Sequence, residues 1–334
     1  MATNPFARPV GLSVFKHAEL DHEEEERVSR ILTKEDVVGI FPPMASPFTA
    51  DEEIDVPALR AELQYNLSLP VTGVCLGGST GEGHALDAND LGLLIKTAVE
   101  EVRGRVPVMA GIITTSTREA VRRGKAARDA GAQALMVTPP IYQLPSDQGM
   151  FDYYDGIHRE TGLPIVIYNV LPHCPVTPAL FKRLADHPGI IGTKESIGGS
   201  LETLTELLET VGDKISVTWA HDWLLYPGLA LGATGSISGA AAILPGHCIA
   251  MWDALQRGDL KTAQTLHFVI TDVTREISKF NWPAGTKLAI NLQGRKVGPC
   301  RRPFTVVPDE QAARIDAALK RANSFDFDRL ARAA

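Results

Sequence analysis

The sequence predicts an α/β chain folded as a (β/α)8 TIM barrel with a C-terminal helical appendage. Three observations carry the prediction. Eight short apolar runs rich in β-formers recur in chain order, and amphipathic stretches separate them. Most runs are continuously hydrophobic instead of alternating, as parallel strands covered on both faces require. The repeating part occupies roughly 210 residues, close to the ~250 that a closed barrel of eight strand-helix units usually takes and hard to fit to a doubly wound sheet.

The strands are expected at 37–45 (VVGIFPPMA), 73–78 (GVCLGG), 107–112 (PVMAGI), 134–139 (ALMVTP), 164–169 (PIVIYN), 189–194 (GIIGTK), 215–220 (ISVTWA) and 233–238 (ATGSIS). Between the second and third, Leu91, Leu94, Ile95, Ala98, Val99 and Val102 form one stripe at helical period that must face the sheet. Ser116 followed by Glu119 makes a capping box for the next helix, and Gly131 suits its end, where a left-handed residue is often needed. Leu201, Leu204, Leu208 and Val211 repeat the helical stripe after the sixth strand. Beyond the barrel, Leu266, Ile270, Val273, Ile277 and Phe280 are spaced 4-3-4-3 within 259–280, and further helices are expected at 284–293 and 309–322. The chain thus divides into an acidic N-terminal extension (1–36) with a solvated EEEE run, the barrel (37–258) and a helical region (259–334).

Composition removes several function classes. The formal charge is −7, and residues 19–36 hold eight acids against three bases, so the rest of the chain carries only about −2. No basic surface of the kind nucleic-acid binding needs is implied. The apolar runs fall far short of the roughly 18 residues needed to cross a bilayer, and no leader pattern opens the chain, so a soluble, cytoplasmic protein is expected. Cys75, Cys174, Cys248 and Cys300 are scattered without a CxxC pair, which argues for buried or free thiols over a zinc site or a disulfide framework.

In such a barrel the active site lies at the carboxyl ends of the strands, which selects Ser79, Thr80, Tyr142, Tyr168, Lys194, His221 and Asp222 for inspection. Lys194 ends the sixth strand in IIGTKES, and its stem would point into the barrel mouth. A lysine of ordinary basicity is almost wholly protonated at neutral pH, so attack by its amine needs desolvation or neighbouring cations, and a closed mouth supplies the first. The product with a ketone is a protonated imine, an electron sink for an adjacent carbanion or enamine. Tyr168, one strand away, either hydrogen-bonds in a core or relays protons beside that imine.

The run GGSTGEGHAL (77–86) lacks the lysine of a P-loop and the spacing of GxGxxG. It reads either as a structural turn, with Glu82 satisfied by backbone amides, or as a small-anion site. In the second reading the N–H groups of Gly77, Gly78 and Gly81, with the Ser79 and Thr80 hydroxyls, hold a carboxylate. His221 and Asp222 lack a third ligand and HxD spacing, so no metal is expected. His173 and Cys174 follow Tyr168 and are expected to line the pocket; a reactive Cys–His pair there is a minor alternative.

Together these residues are similar to a known family. GGSTGE at 77–82, YNV at 168–170, GTKES at 192–196, GSIS at 235–238 and GPCRRP at 298–303, in this order, resemble the dihydrodipicolinate synthase / N-acetylneuraminate lyase family over roughly 37–322. The resemblance implies class I aldolase chemistry on a 2-oxo acid, usually pyruvate, without a cofactor, in a homotetramer. It makes Lys194 the Schiff-base lysine, Tyr168 the proton-relaying tyrosine, and Ser79 and Thr80 the hydroxyls that hold the carboxylate. It also makes Ile237 the residue whose carbonyl faces the site, and Tyr142 the tyrosine lent to a neighbouring subunit.

One departure bears on the second substrate. Synthases of the family carry an arginine shortly after the tyrosine, which binds the second substrate's carboxylate, and YNVLPHCPVT has none. Losing a charge-assisted, potentially bidentate clamp is a large change. His173, Cys174, Trp219 and His221 suggest instead an aldehyde partner that is larger, aromatic or less anionic. The sequence therefore favours retro-aldol cleavage of a 4-hydroxy-2-oxo acid, or a hydratase-aldolase. Synthase condensation of pyruvate with aspartate semialdehyde and dehydration of a 2-oxo acid stand as alternatives. An idle barrel that only binds a 2-oxo acid is the reading from another class.

Overall fold

The computed structural model describes residues 30–304 and 306–325, so the expected solvated run at 23–26 lies outside the described residues. Eight parallel strands follow in order: β1 Gly39–Ile40, β2 Val74–Leu76, β3 Val108–Ile112, β4 Ala134–Val137, β5 Ile165–Asn169, β6 Ile190–Glu195, β7 Ser216–Trp219 and β8 Gly235–Ser236. β2 to β8 pair in sequence order, and β1 pairs with β8. The ring is completed between β1 and β2, where Pro43 bridges Cys75 and the Thr72 and Met44 amides donate to the carbonyls of Ile40 and Cys75. This is the expected (β/α)8 barrel. β1 and β8 are shorter than the sequence suggests. Pro42 and Pro43 end the first, because proline has no N–H for a ladder.

Side chains alternate between two faces along each strand, and the ladder sorts them into two layers. Cys75, Met109, Ala134, Met136, Val166, Tyr168 and Ile237 fill the interior with Leu32, Val37 and Phe41. The Leu32 amide donates to the Gln133 carbonyl just ahead of β4, so this plug lies at the amino ends of the strands. Outward-facing residues such as Val74, Leu135, Ile167 and Val217 join a larger core under the helices. Because the floor is packed with apolar side chains, polar groups gather at the opposite, carboxyl end.

The helices hold to their expected faces. In Ala88–Val102 the residues Leu91, Leu94, Ile95, Ala98 and Val102 are buried, and Asp87 and Asp90 cap its start reciprocally. The capping box at Ser116 is only half made. The Ser116 hydroxyl accepts from the Glu119 amide at 3.4 Å, but the Glu119 carboxylate turns away to Arg122 and Arg123, whose charge-assisted bonds are stronger than one to a backbone N–H. Gly131 takes φ +94° after that helix ends. Past β8 come two helices, Gly239–Ile243 and Pro245–Gln256, and then the appendage of Leu260–Ser278, Trp282–Leu292 and Asp309–Asn323. Leu266, Ile270, Val273 and Ile277 are fully buried, while Phe280 falls just past the helix end and is partly buried. Among the described residues no helix is long and apolar enough to cross a membrane.

Candidate active site

Lys194 reaches the interior through a slip in register, and Tyr168 by the regular alternation of β5. Between β5 and β6 the pairing passes from Ile165↔Ile190 to Val166↔Gly192, leaving Ile191 as a bulge. Beyond it Tyr168 stands opposite Lys194, which in turn stands opposite Thr218. Parallel ladder partners share a face, so these three form one inward row across β5, β6 and β7. Lys194 is only 4% exposed and Tyr168 5%. The Lys194 ammonium sits 3.8 Å from the centroid of the Tyr168 ring, and the Tyr168 hydroxyl donates to Ser79 Oγ at 3.2 Å. A buried amine and phenol from β6 and β5 thus meet a half-buried alcohol from the loop after β2.

The loop carrying Ser79 is held by glycine and by charge. Gly77 has φ +76°, and a Cβ on Gly83 would lie 1.8 Å from the Gly77 carbonyl oxygen, so the turn closes on itself only with glycine there. Ser46 Oγ donates to the Gly81 carbonyl at 2.6 Å, and a Cβ on Gly78 would lie 3.0 Å from the Met136 methyl. Thr80 is buried beside Ser79. The Glu82 carboxylate departs from the expectation of backbone amides alone. It accepts the Arg301 N–H at 2.9 Å but pairs mainly with Lys287, 2.7 Å away, both side chains being buried. Lys287 also donates to the Pro299 carbonyl at 2.6 Å. Burial lowers the Lys287 pKa, with Glu82 opposing the shift. A helix 200 residues downstream and the GPCRRP segment therefore anchor the 77–86 loop.

The remaining expected residues separate. Ile237 packs inside with Tyr168. Tyr142 is 77% exposed in the loop after β4, outside the buried cluster of this chain. His173 is also exposed, its Nε2 3.1 Å from the Ile141 carbonyl oxygen. The thiol of Cys174 is directed at the Gln143 carbonyl instead of at His173, and burial raises its pKa, so the two do not form a nucleophile pair. His221 is half-buried at the mouth, where Gly199 makes room for it: a Cβ there would lie 2.6 Å from Nε2. Trp219 departs from its expected place beside the second substrate. It faces outward in register with Glu195, is fully buried against Gly228, and donates Nε1–H to the Leu224 carbonyl at 2.8 Å.

Sequence reasoning missed Glu195, Asn169, Thr218 and the electrostatics of Asp222. Burial pushes the Glu195 carboxyl up to about 7 against the hydrogen bonds it accepts. Burial likewise pushes Asp222 up to about 6, although the Ala240 N–H, Ser238 and the Lys194 charge all pull it down. Cys75, inside the barrel, is raised by burial to about 12, so its thiol stays protonated. The missed signal was the second letter of each strand-ending pair, YN and KE, at neighbouring strand ends.

A sequence model of the dihydrodipicolinate synthetase family matches residues 36–322. The 4-hydroxy-tetrahydrodipicolinate synthase of Methanospirillum hungatei is 34% identical over 289 residues, covering 85% of this chain and 98% of that one. Among solved structures, dihydrodipicolinate synthase DapA-2 of Bacillus anthracis superposes with a TM-score of 0.81 at 29% identity, covering 86% of this chain and 98% of that one. YagE of Escherichia coli K12, a prophage protein of the dihydrodipicolinic acid synthase family in complex with pyruvate, gives the same TM-score, identity and coverage. With a buried lysine and tyrosine joined to a half-buried serine at the carboxyl end of a barrel that these proteins share almost end to end, this chain belongs to the dihydrodipicolinate synthetase family and is a lyase.

Proposed function

We propose that the chain is a class I, pyruvate-type lyase that works through an imine on Lys194. The observation that carries this reading is the buried contact of Lys194 with Tyr168, itself hydrogen-bonded to Ser79. The neutral amine adds to the keto carbon of a 2-oxo acid, and the carbinolamine formed takes up a proton on its hydroxyl and loses water to leave a protonated imine. Loss of a proton from the adjacent carbon gives an enamine, which adds to an aldehyde; in reverse, a 4-hydroxy-2-oxo acid imine releases the aldehyde and leaves the enamine. Hydrolysis returns the lysine. Tyr168 and Ser79 move protons to and from the departing and incoming oxygens. Ser79, Thr80 and the N–H groups around Gly78 hold the carboxylate, the Ile237 carbonyl lines the site, and His221 and His173 stand toward the second substrate. Tyr142, exposed here, serves a neighbouring subunit in a homotetramer.

For the second substrate, the names of the relatives favour condensation of pyruvate with aspartate semialdehyde, the 4-hydroxy-tetrahydrodipicolinate synthase reaction, over cleavage. A retro-aldol reading keeps one specific support, the absence of arginine from NVLPHCPVT at 169–177. Condensation with aspartate semialdehyde, assayed beside pyruvate release from a panel of 4-hydroxy-2-oxo acids, decides between them. Lys194→Arg should abolish either activity, and full turnover in that variant would defeat the imine mechanism.

A further inference from the structure

Directly beyond the inward row of Tyr168, Lys194 and Thr218 lies an outward row of Asn169, Glu195 and Trp219, paired by the same ladder. Glu195 is fully buried there. Its Oε2 accepts from Asn169 Nδ2 at 2.7 Å and its Oε1 from the Ile197 N–H at 2.8 Å. Asn169 uses its other capacity on one residue: Nδ2 also donates to the Val176 carbonyl at 3.0 Å, and Oδ1 accepts the Val176 N–H at 2.9 Å. Two side chains thus join the ends of β5 and β6, the loop up to Val176 and the turn after Glu195. Burying a carboxyl in an apolar layer is costly, and an apolar pair would fill the same space more cheaply. What an apolar pair lacks is direction, since hydrogen bonds fix the two strand ends in one relative setting.

We propose that Glu195 and Asn169 are positioning residues that hold Lys194 and Tyr168, their immediate chain neighbours, in contact across the β5–β6 ladder. The role in turnover rests on the imine reading above. The pairing is directional: the carboxylate only accepts, and the amide group facing it only donates. Glu195→Gln turns an NH2 toward one of two N–H donors, and Asn169→Asp sets carboxylate against carboxylate. The double variant restores the bond with its polarity reversed, at the cost of a carboxylate oxygen at position 169 facing the Val176 carbonyl where the wild type has a donor.

The test measures, at pH 8, where the Glu195 carboxyl is largely ionised, trapping of pyruvate on Lys194 by borohydride across pyruvate concentrations in the full chain, for the wild type, both single variants and the double variant. Lys194 carbamylation by cyanate without pyruvate and thermal unfolding are recorded alongside. The expected result is a maximal trapping rate about tenfold or more lower in each single variant, since small misplacements of reacting groups carry such costs. The half-saturating pyruvate concentration should move little, because Ser79 and Thr80 sit on another loop, and the double variant should recover most of the rate. Unchanged trapping in Glu195→Gln, or no recovery in the double variant, overturns the proposal. If the wild type yields no pyruvate adduct, the imine reading fails, and the cyanate rates still decide the pair: equal rates in all four proteins overturn it, and a change reversed in the double variant supports it. Should Glu195→Gln not fold, Asn169→Ser, which keeps the Glu195–Ile197 bond, carries the same expectation.

Discussion

Replacing Glu195 with glutamine should flatten part of the pH dependence of stability. In the folded chain its carboxyl titrates near about 7, against an ordinary value of 4.5, because burial disfavours the charged form. A raised acid contributes stability that is whole below the unfolded value and is lost as pH rises through the folded one. At about 1.4 kcal/mol per pH unit, the gap corresponds to about 3 kcal/mol that the wild type loses between about pH 4.5 and 7. Glutamine does not titrate, so Glu195→Gln should lack this loss. Asp222, raised by burial to about 6, changes stability in the same direction but is common to both proteins and cancels in the comparison. Urea unfolding at pH 5 and pH 8, at one protein concentration, reads the difference. Parallel pH profiles for the two proteins would refute the assignment of a buried, raised carboxyl to this position.

Tyr168→Phe keeps the ring beside Lys194 but removes the hydroxyl that reaches Ser79; turnover should fall by about 10²- to 10⁴-fold with thermal stability almost unchanged, as steady-state kinetics and melting would record. Lys287→Met removes the charge partner of the buried Glu82 carboxylate, so urea unfolding should register a loss of about 3–5 kcal/mol, partly recovered when Glu82→Gln is added. Gly83→Ala must displace the loop at Gly77, since the new Cβ would lie 1.8 Å from a carbonyl oxygen. Gly162→Ala meets open space at φ +72° and should cost only about 1 kcal/mol. Comparing pyruvate trapping in the two glycine variants checks that the 77–86 turn, and not glycine loss in general, governs the site.

The barrel was legible because its strands are covered on both faces and therefore read as unbroken apolar runs, as in PIVIYN and GIIGTK. Lys194 and Tyr168 were legible for a related reason: a polar residue closing such a run has to emerge at the mouth. Glu82 was only half read. Its partner Lys287 lies 205 positions away on a helix, and no local pattern specifies a contact of that range. Trp219 shares the outer face of β7 with Val217 while Thr218 points inside, and nothing in ISVTWA itself says which alternate set faces the barrel interior. Tyr142 and His173 were grouped with the site by their place after β4 and β5, but loop side chains are not fixed by the strands they follow. Ser116 shows the limit of local capping rules, since Glu119 met two arginines on its own helix before it could close the box.

The imine on Lys194 is tested most directly by incubating the full chain with pyruvate and borohydride and locating the added mass by peptide mapping. One reduced pyruvyl adduct per chain is expected, on Lys194, and none in Lys194→Arg. An adduct on another lysine, or none in the wild type, would contradict the imine mechanism.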